Sequence, residues 1–283
     1  MAHPCTGGGP RSADAGRRAA GVRVLALDVD GTLTDGARGP TLPGAVEAVR
    51  SLRARWPVRL VTNTTSVPFE ALAAHLAGIG LLDAPSNLYT PVMTARRVLP
   101  ERGHDRGVLI ADPGQRADYA WFHEDPAGPA VLLATEAHDW RVGDLEPAFR
   151  RLLDGAAFYT MTRNRYYRVA GEFRIDLGGV AALLAYCAGR EPETLGKPSP
   201  LLFDLIAREA GVARESIVMV GDDAEVDVAA SVALGMRGVL VKTGKYLDGD
   251  EAKQPILPTG FIAGIGALKD WLDSASRSPG PAR

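Results

Sequence analysis

The hydrophobic residues of this chain form short, mostly apolar runs, each followed by a polar loop. The runs lie at residues 22–27, 58–61, 216–220 and 238–241. None of them alternates between polar and apolar positions, which is typical of strands that are buried on both faces of a sheet. The chain therefore contains at least four candidate core strands, two near each end of the sequence.

Helical periodicity separates these predicted strands. Apolar residues recur every three to four positions over 43–56 and 67–77, and Ser199-Pro200 begins a third helix as N-cap and first-turn proline. Strands that alternate with helices of this length require right-handed crossovers between parallel neighbours. The sequence thus predicts an α/β fold with a doubly wound, Rossmann-like parallel sheet, which binds ligands at the carboxyl ends of its strands.

Residues 87–190 differ from the segments on either side in their pattern of predicted helices and strands. They combine helix-like stretches with short strand candidates, one of which covers residues 166–175. Mixed elements between two halves of one sheet indicate an inserted second domain. We therefore predict a discontinuous core domain, residues 21–86 and 191–273, with an α/β insertion at residues 87–190.

The composition is that of an ordinary globular protein with loose ends. Residues 1–20 and 274–283 are rich in small residues, proline and arginine, and we expect both to be disordered tails. The formal net charge of -2 offers no attraction to nucleic acid or to an anionic membrane, and no apolar run approaches transmembrane length. The only cysteines are Cys5 and Cys187, and we expect Cys187 to pack in the core. These features predict a cytoplasmic protein that binds neither nucleic acid nor membrane.

Polar side chains that could take part in a reaction lie in or just beyond the loops that follow the predicted strands, except Lys197, which lies in the loop before the Ser199 helix. In chain order they are Asp28, Asp30, Thr62, Asn63, Lys197, Asp222, Asp223 and Asp227. Because the carboxyl ends of parallel strands share one edge of a sheet, we expect these groups to converge. Several carboxylates around one point require a cation, and oxygen ligands without His or Cys favour Mg²⁺. The lysine and the hydroxyl groups are suited to the oxygens of a phosphate.

The same groups suggest a reaction. Asp28, at the end of the first strand, is the natural nucleophile for an in-line attack that gives an aspartyl-phosphate. Asp30 can protonate the leaving oxygen and later accept a proton from the hydrolytic water. Lys197 and Mg²⁺ reduce the repulsion between the anionic nucleophile and the anionic phosphoryl group.

Four motifs, DVDGT, TNTT, GKPSP and GDDAEVD, occur in the order and spacing of the haloacid dehalogenase (HAD) superfamily phosphatases, which the chain resembles. The insertion between TNTT and GKPSP lies where that superfamily has its type IIA, or C2, cap. The stretches RYYRVAGEFRIDLGG and GMRGVLVKTGKY are similar to the subgroup that contains phospholysine phosphohistidine inorganic pyrophosphate phosphatase. The resemblance implies a hydrolase with a HAD core and a C2-type cap over residues 87–190.

The resemblance also implies catalytic and metal-binding roles. Asp28 is the nucleophile and a Mg²⁺ ligand. Asp30 is the general acid and base, and it binds the metal through its backbone carbonyl. Asp222 is the remaining protein ligand of the metal.

Further positions matched to the motifs bind phosphate or support the site. The resemblance implies that Thr62 and the amide of Asn63 bind the phosphoryl group and that Lys197 offsets its charge. Asp227 orients either the surroundings of the metal or Lys197. Asp223 either supports the same surroundings or supplies a negative charge at a helix N-terminus.

The sequence leaves the substrate open. The predicted enzyme hydrolyses a small phosphorylated molecule, which is a phosphate monoester, pyrophosphate or an N-phosphoryl compound. The alternatives are a phosphotransferase that uses the same aspartyl-phosphate and a non-catalytic protein that binds a phospholigand. Residues 163–168 form either a strand with a solvated basic face or a contact with an anionic leaving group. Caps of this kind often carry a dimer contact, so the resemblance also implies a homodimer through the cap.

Overall fold

A computed structural model describes residues 21–135, 141–169 and 172–277. The strands are, in chain order, β1 (Val24–Asp28), β2 (Val58–Val61), β3 (Leu88–Tyr89), β4 (Arg106–Ile110), β5 (His123–Glu124), β6 (Ala130–Leu133), β7 (Ala157–Thr160), β8 (Tyr166–Val169), β9 (Glu172–Ile175), β10 (Glu193–Thr194), β11 (Ile217–Gly221), β12 (Arg237–Val241) and β13 (Gly260–Ile262). The helices are α1 (Ala45–Arg53), α2 (Phe69–Gly78), α3 (Pro91–Val98), α4 (Glu146–Leu153), α5 (Leu177–Ala188), α6 (Pro200–Ala210), α7 (Ala230–Ala233) and α8 (Leu268–Arg277).

The first sheet has six parallel strands in the order β13-β12-β11-β1-β2-β3. The chain runs outward from β1 through β2 to β3, and later outward in the opposite direction from β11 to β13. The strand order therefore reverses between β1 and β11, which is the position where doubly wound sheets bind ligands. The predicted Rossmann-like core is confirmed.

Both faces of this sheet are covered by helices. Leu25 and Leu27 of β1 pack with residues of α1, α2 and α8, whereas Val24 and Ala26 pack with residues of α6 on the opposite face. All five residues of β1 are buried. Successive side chains of β1 enter different cores. The strand therefore needs apolar residues at each position from Val24 to Leu27, which explains why the run does not alternate.

The second sheet has five parallel strands in the order β10-β7-β6-β4-β5. Its core includes residues of β4, β6 and β7 together with residues of α3, α4 and α5. Strands β8 and β9 form a separate antiparallel pair, with Tyr166 opposite Ile175. We predicted one strand over residues 166–175, and the structure corrects this to two strands of four residues.

The strand pairing moves the predicted limits of the insertion by a few residues. Leu88–Tyr89 pairs with β2 in the first sheet, although it falls inside the range predicted for the insertion. Glu193–Thr194 pairs with β7 in the second sheet, although it falls inside the predicted core. Two-residue strands carry too little periodicity to be recognised in a sequence. The division into two domains is a proposal that agrees with the two sheets.

The structure differs from the expectations at the C-terminus and at Cys187. Helix α8 continues to Arg277, so the predicted C-terminal tail is wrong over 274–277. The predicted tails at 1–20 and 278–283 lie outside the described residues. Cys187 is exposed, so its predicted burial is wrong. In the described part of the chain, no helix is both long and apolar enough to cross a membrane.

Candidate active site

The reversal of strand order places two acidic loops side by side. Strands β1 and β11 pair from Val24 opposite Ile217 to Leu27 opposite Val220, so both reach the same edge of the sheet. Asp28 is the last residue of β1, and Asp222 directly follows β11. The two side chains meet because parallel strands end at the same edge.

Three acidic side chains form one compact cluster. Asp28, Asp222 and Asp227 each contribute a carboxylate oxygen, and these oxygens lie within 4.8 Å of one another. All three residues are buried. The third carboxylate of the cluster is that of Asp227. The predicted role of Asp30, which is to bind the metal through its backbone carbonyl, stays a prediction.

Lys197 supplies the positive charge beside this cluster. Its side chain is only 4% exposed and forms ion pairs with Asp28 Oδ1 and with Asp227 Oδ1, the latter at 2.7 Å. Burial opposes the charge on Lys197, but Asp227 and Asp28 outweigh that effect and raise its pKa. Lys197 therefore stays protonated in the interior.

One lysine does not neutralise three carboxylates. Burial raises the pKa of Asp28 and of Asp222 to about 6 and that of Asp227 to about 7, although Lys197 opposes each shift. Repulsion between the carboxylates adds to the effect of burial. A further cation would stabilise this cluster, because it would allow all three carboxylates to ionise together.

Asp222 has one carboxylate oxygen that is free of hydrogen bonds among the described residues and could bind such a cation. Its Oδ2 accepts a hydrogen bond from the backbone N–H of Lys245 at 2.7 Å. Its Oδ1 is buried and has no hydrogen-bond partner among the described residues. Since an orphaned buried carboxylate oxygen is costly, the acidic cluster fits a divalent cation that prefers oxygen ligands.

Two glycines allow the loops to approach Asp222 this closely. Gly31 and Gly244 have φ angles of +84° and +61°, and a Cβ on either residue would overlap Asp222 Oδ2. The hydroxyl of Thr243 donates to the carbonyl of Gly31 at 2.6 Å, which ties the two loops together. A side chain at either glycine would therefore displace the Asp222 carboxylate.

Asp30 lies next to the threonines that follow β2. Thr64 Oγ1 donates to Asp30 Oδ2 at 2.7 Å, and Thr62 Oγ1 lies 3.1 Å from the same oxygen. Asp30 Oδ1 is buried and has no hydrogen-bond partner in the described ranges. One oxygen of Asp30 is thus held in place while the other is available for proton transfer.

Asn63 holds the segment that carries Lys197. Its side-chain Nδ2 donates to the carbonyl of Lys197 at 2.8 Å, and its Oδ1 accepts from the Lys197 N–H at 2.7 Å. These two bonds join the loop after β2 to the start of α6. The side chain of Asn63 therefore positions Lys197, a contact that the sequence did not predict.

Asp223 lies at the N-terminus of the helical turn after β11. Its Oδ1 accepts from the N–H groups of Glu225 and Val226 at 3.0 Å and 2.9 Å, and its Oδ2 lies 3.0 Å from Lys245 Nζ. This contact set corresponds to the second of the two roles we had left open for Asp223, a negative charge at a helix N-terminus.

A cavity of about 370 Å³ opens above these residues. Most of the predicted site residues line this cavity, namely Asp28, Asp30, Thr62, Asn63, Lys197, Asp223 and Asp227. Thr162, Asn164 and Asp176, which lie beside β8, β9 and α5, line it as well. Asn164 lies in residues 163–168, for which we left a contact with the leaving group open, whereas sequence reasoning missed Thr162, Asp176, Thr64 and Lys245. The positions of these residues depend on how the loops pack. For Lys245 the sequence did offer a signal, because KTGK at 242–245 is the polar loop that follows the predicted strand at 238–241.

A parallel sheet whose strand order reverses at two acidic loops, with a buried lysine between them, is the architecture of a HAD-type hydrolase. Residues 25–120 match the family described as haloacid dehalogenase-like hydrolase, and residues 194–268 match the family of HAD-hydrolase-like proteins. The chain belongs to the haloacid dehalogenase family and is a phosphatase of that class.

Individual relatives narrow the subgroup. Phospholysine phosphohistidine inorganic pyrophosphate phosphatase of Bos taurus is 31% identical over 263 residues, which cover 91% of this chain and 96% of that protein. Haloacid dehalogenase-like hydrolase domain-containing protein 2 of Bos taurus is 34% identical over 234 residues, covering 82% and 88% of the two chains. The solved 4-nitrophenylphosphatase of Thermotoga maritima shares the fold, with a TM-score of 0.78 and 22% identity over 90% of this chain and 98% of that one.

Proposed function

We propose that this chain is a Mg²⁺-dependent phosphatase that acts through an aspartyl-phosphate on Asp28. Its substrate is a small phosphate monoester, pyrophosphate or an N-phosphoryl compound. The observation that carries the proposal is the buried cluster of Asp28, Asp222 and Asp227, whose oxygens lie within 4.8 Å of one another beside Lys197. Three carboxylates and one lysine leave an excess of negative charge that a divalent cation would neutralise.

The ligands of the cation would be the carboxylates of Asp28 and Asp222 and the backbone carbonyl of Asp30. The orphaned Asp222 Oδ1 supports this assignment. When bound, Mg²⁺ supplies positive charge to the phosphoryl oxygens and to the attacking carboxylate. Asp227, which is 2.7 Å from Lys197 Nζ, orients that lysine.

In the first step, a carboxylate oxygen of Asp28 attacks phosphorus and the bond from phosphorus to the leaving group breaks. The hydroxyl of Thr32 lies 3.2 Å from Asp28 Oδ2, and Lys197 contacts Oδ1, so both oxygens of the nucleophile are oriented. Asp30 donates its proton to the leaving atom. Thr62 and the backbone amide of Asn63 bind phosphoryl oxygens, and Lys197 offsets their charge.

In the second step, Asp30 accepts a proton from water, and the water oxygen attacks the phosphorus of the aspartyl-phosphate. Phosphate leaves and the Asp28 carboxylate is restored. Thr64, which donates to Asp30 Oδ2 at 2.7 Å, holds Asp30 for both proton transfers. A single carboxyl group therefore acts first as acid and then as base.

Phosphate release tests the proposed function. We expect the protein to release inorganic phosphate from 4-nitrophenyl phosphate with Mg²⁺ and to lose that activity when EDTA removes the metal, with recovery on adding Mg²⁺ back. Transfer of the phosphoryl group to an added alcohol without release of phosphate would favour the phosphotransferase. Binding of phosphate without any turnover would favour the non-catalytic protein.

Substitution of Asp222 tests the metal site. Asp222→Asn keeps an oxygen for the N–H of Lys245 but removes one negative ligand, so we expect the Mg²⁺ concentration for half-maximal activity to rise by about 100-fold or more. A Mg²⁺ titration of phosphate release measures this. Asp223→Asn is the matched control, because Asp223 caps a helical turn outside the cluster. Equal titrations for both variants would contradict the assignment of Asp222.

A homodimer formed through the cap stays a prediction, as does the cytoplasmic location. The homodimer is supported by apolar side chains exposed on β9 and α5, with Ile175 at 73%, Leu183 at 40% and Tyr186 at 91% exposure. Apolar side chains grouped on one surface are typical of a protein interface.

A further inference from the structure

Asp176 is a buried acidic residue on the side of the active-site cavity that lies beside the second sheet. It occupies the junction between β9 and α5, is only 8% exposed and lines the cavity together with Thr162 and Asn164. The mechanism proposed above gives it no role. Its carboxylate lines the same cavity as Asp28, the proposed nucleophile.

The local structure holds Asp176 firmly. Its Oδ1 accepts a hydrogen bond from the N–H of Leu177 at 2.6 Å, and the side chain of Asn164 also donates to its carboxylate. Its own N–H donates to the carbonyl of Arg165 at 3.1 Å, and the N–H of Gly178 donates to the carbonyl of Asn164 at 3.0 Å. The carboxylate is therefore fixed in the cavity wall.

The charge of Asp176 has no cationic partner in the described parts of the chain. Burial raises its pKa, whereas the hydrogen bonds from Leu177 and Asn164 lower it, and no charged side chain contributes to the shift. A buried carboxylate with only neutral hydrogen-bond donors keeps a substantial part of its desolvation cost. A cation next to it would remove that cost.

The two lysines that line the cavity are already paired with other carboxylates. Lys197 contacts Asp28 and Asp227, and Lys245 Nζ lies 3.0 Å from Asp223. Lys245 follows β12 of the first sheet, and Lys197 lies between β10 and α6. On the side of Asp176, the described residues that line the cavity therefore offer one carboxylate, one carboxamide and one hydroxyl, and no lysine or arginine.

We propose that Asp176 determines specificity by selecting substrates whose leaving group carries a positive charge and by repelling those whose leaving group is anionic. An aminoalkyl phosphate is an example of the first class, and pyrophosphate is an example of the second. The inference rests on the proposed phosphatase function, and it separates substrates that this function leaves together.

A structural role for Asp176 must be distinguished from this one. Asp176 is the N-cap of α5, and loss of the cap would lower stability and the rate with every substrate. Asp176→Asn keeps an oxygen that accepts from the Leu177 N–H but removes the charge. Asp176→Ser is a second uncharged variant with a good N-cap side chain, which keeps the test possible if the first variant does not fold.

The experiment compares kcat/KM for 2-aminoethyl phosphate, 4-nitrophenyl phosphate and pyrophosphate in the Mg²⁺-loaded full chain. We expect Asp176→Asn to lower the ratio of 2-aminoethyl phosphate to pyrophosphate by about tenfold or more, since one unit charge is lost in a partly desolvated cavity. Asp112→Asn is the matched control, because Asp112 also caps a helical segment through the N–H of Gly114, and it does not line this cavity.

The possible results have distinct meanings. A ratio that falls in Asp176→Asn and stays constant in Asp112→Asn supports the assignment, whereas a ratio that rises in Asp176→Asn overturns it. Equal changes with all three substrates would overturn it and leave Asp176 as an N-cap, with the phosphatase function intact. Absence of phosphate release from every substrate by the unaltered protein would overturn the phosphatase function and this inference together.

Discussion

Asp28→Asn is expected to abolish phosphate release while the protein stays folded. The amide is a poor nucleophile, so the aspartyl-phosphate cannot form, and we expect kcat to fall by about 10³-fold or more. The substitution also removes one of three clustered negative charges, and Asp28 has its pKa raised to about 6 first by burial and then by Asp222 and Asp30. Thermal stability without metal should therefore be equal to or above that of the original chain.

Trapping of the intermediate gives a direct readout. After acid quenching during turnover, the original chain should carry a phosphoryl group on the peptide that contains Asp28, and Asp28→Asn should carry none. Asp83→Asn serves as the control, because Asp83 is an aspartate at the surface, 3.5 Å from Arg53. An Asp28→Asn protein that retains the original rate would remove Asp28 as the nucleophile.

Lys197→Met is expected to destabilise the metal-free protein strongly and to respond to Mg²⁺. The methionine fills a similar volume, but Asp28 and Asp227 lose their buried partner, and breaking a buried ion pair on one side costs about 3–5 kcal/mol. In a domain of this size that corresponds to a fall in Tm of about 10 °C. Mg²⁺ should restore more stability to this variant than to the original chain, because the cation replaces part of the lost positive charge.

Thermal denaturation with EDTA and with Mg²⁺ measures both effects. Lys253→Met is the control, since Lys253 pairs with Asp250 at 2.6 Å in an exposed position, where an ion pair contributes about 0–1 kcal/mol. Similar losses in the two variants would mean that the buried charges near Lys197 are compensated in another way. Identical Mg²⁺ responses of the variant and the original chain would separate the metal from this cluster.

The sequence predicted the core strands well because each is buried on both faces. Strand β2 has the predicted bounds, and α6 begins after its N-cap Ser199, whose Oγ accepts from the Leu201 N–H at 3.2 Å. Helix α5 misled the prediction for Cys187, because an apolar sequence around a whole helix indicates burial on all sides. In the structure only one side of α5 packs on the second sheet, and Cys187 and Tyr186 lie on the exposed side.

The sequence predicted which residues form the site, but not the contacts that hold them in place. Motif order and the rule that parallel strands share a carboxyl edge were sufficient to group Asp28, Asp222 and Lys197. The contacts that hold these residues were not predictable: Asn63 fixes the Lys197 backbone, Lys245 donates to Asp222, and Thr64 donates to Asp30. Such bonds join residues as far as 134 positions apart, and they depend on the conformations of loops.

The sequence by itself therefore determined the class of fold and the family, and it supplied the chemical groups of the proposed reaction. The fold class follows from local periodicity, and the family follows from four short motifs. Each motif lies within one short segment of the chain. Only the tertiary structure decided that Asp227 joins Asp28 and Asp222 in one cluster and that Asp176 lines the cavity beside that cluster. Asp227 and Asp176 acquire these positions because separate segments of the chain pack against each other, and no local pattern encodes the distance between such segments.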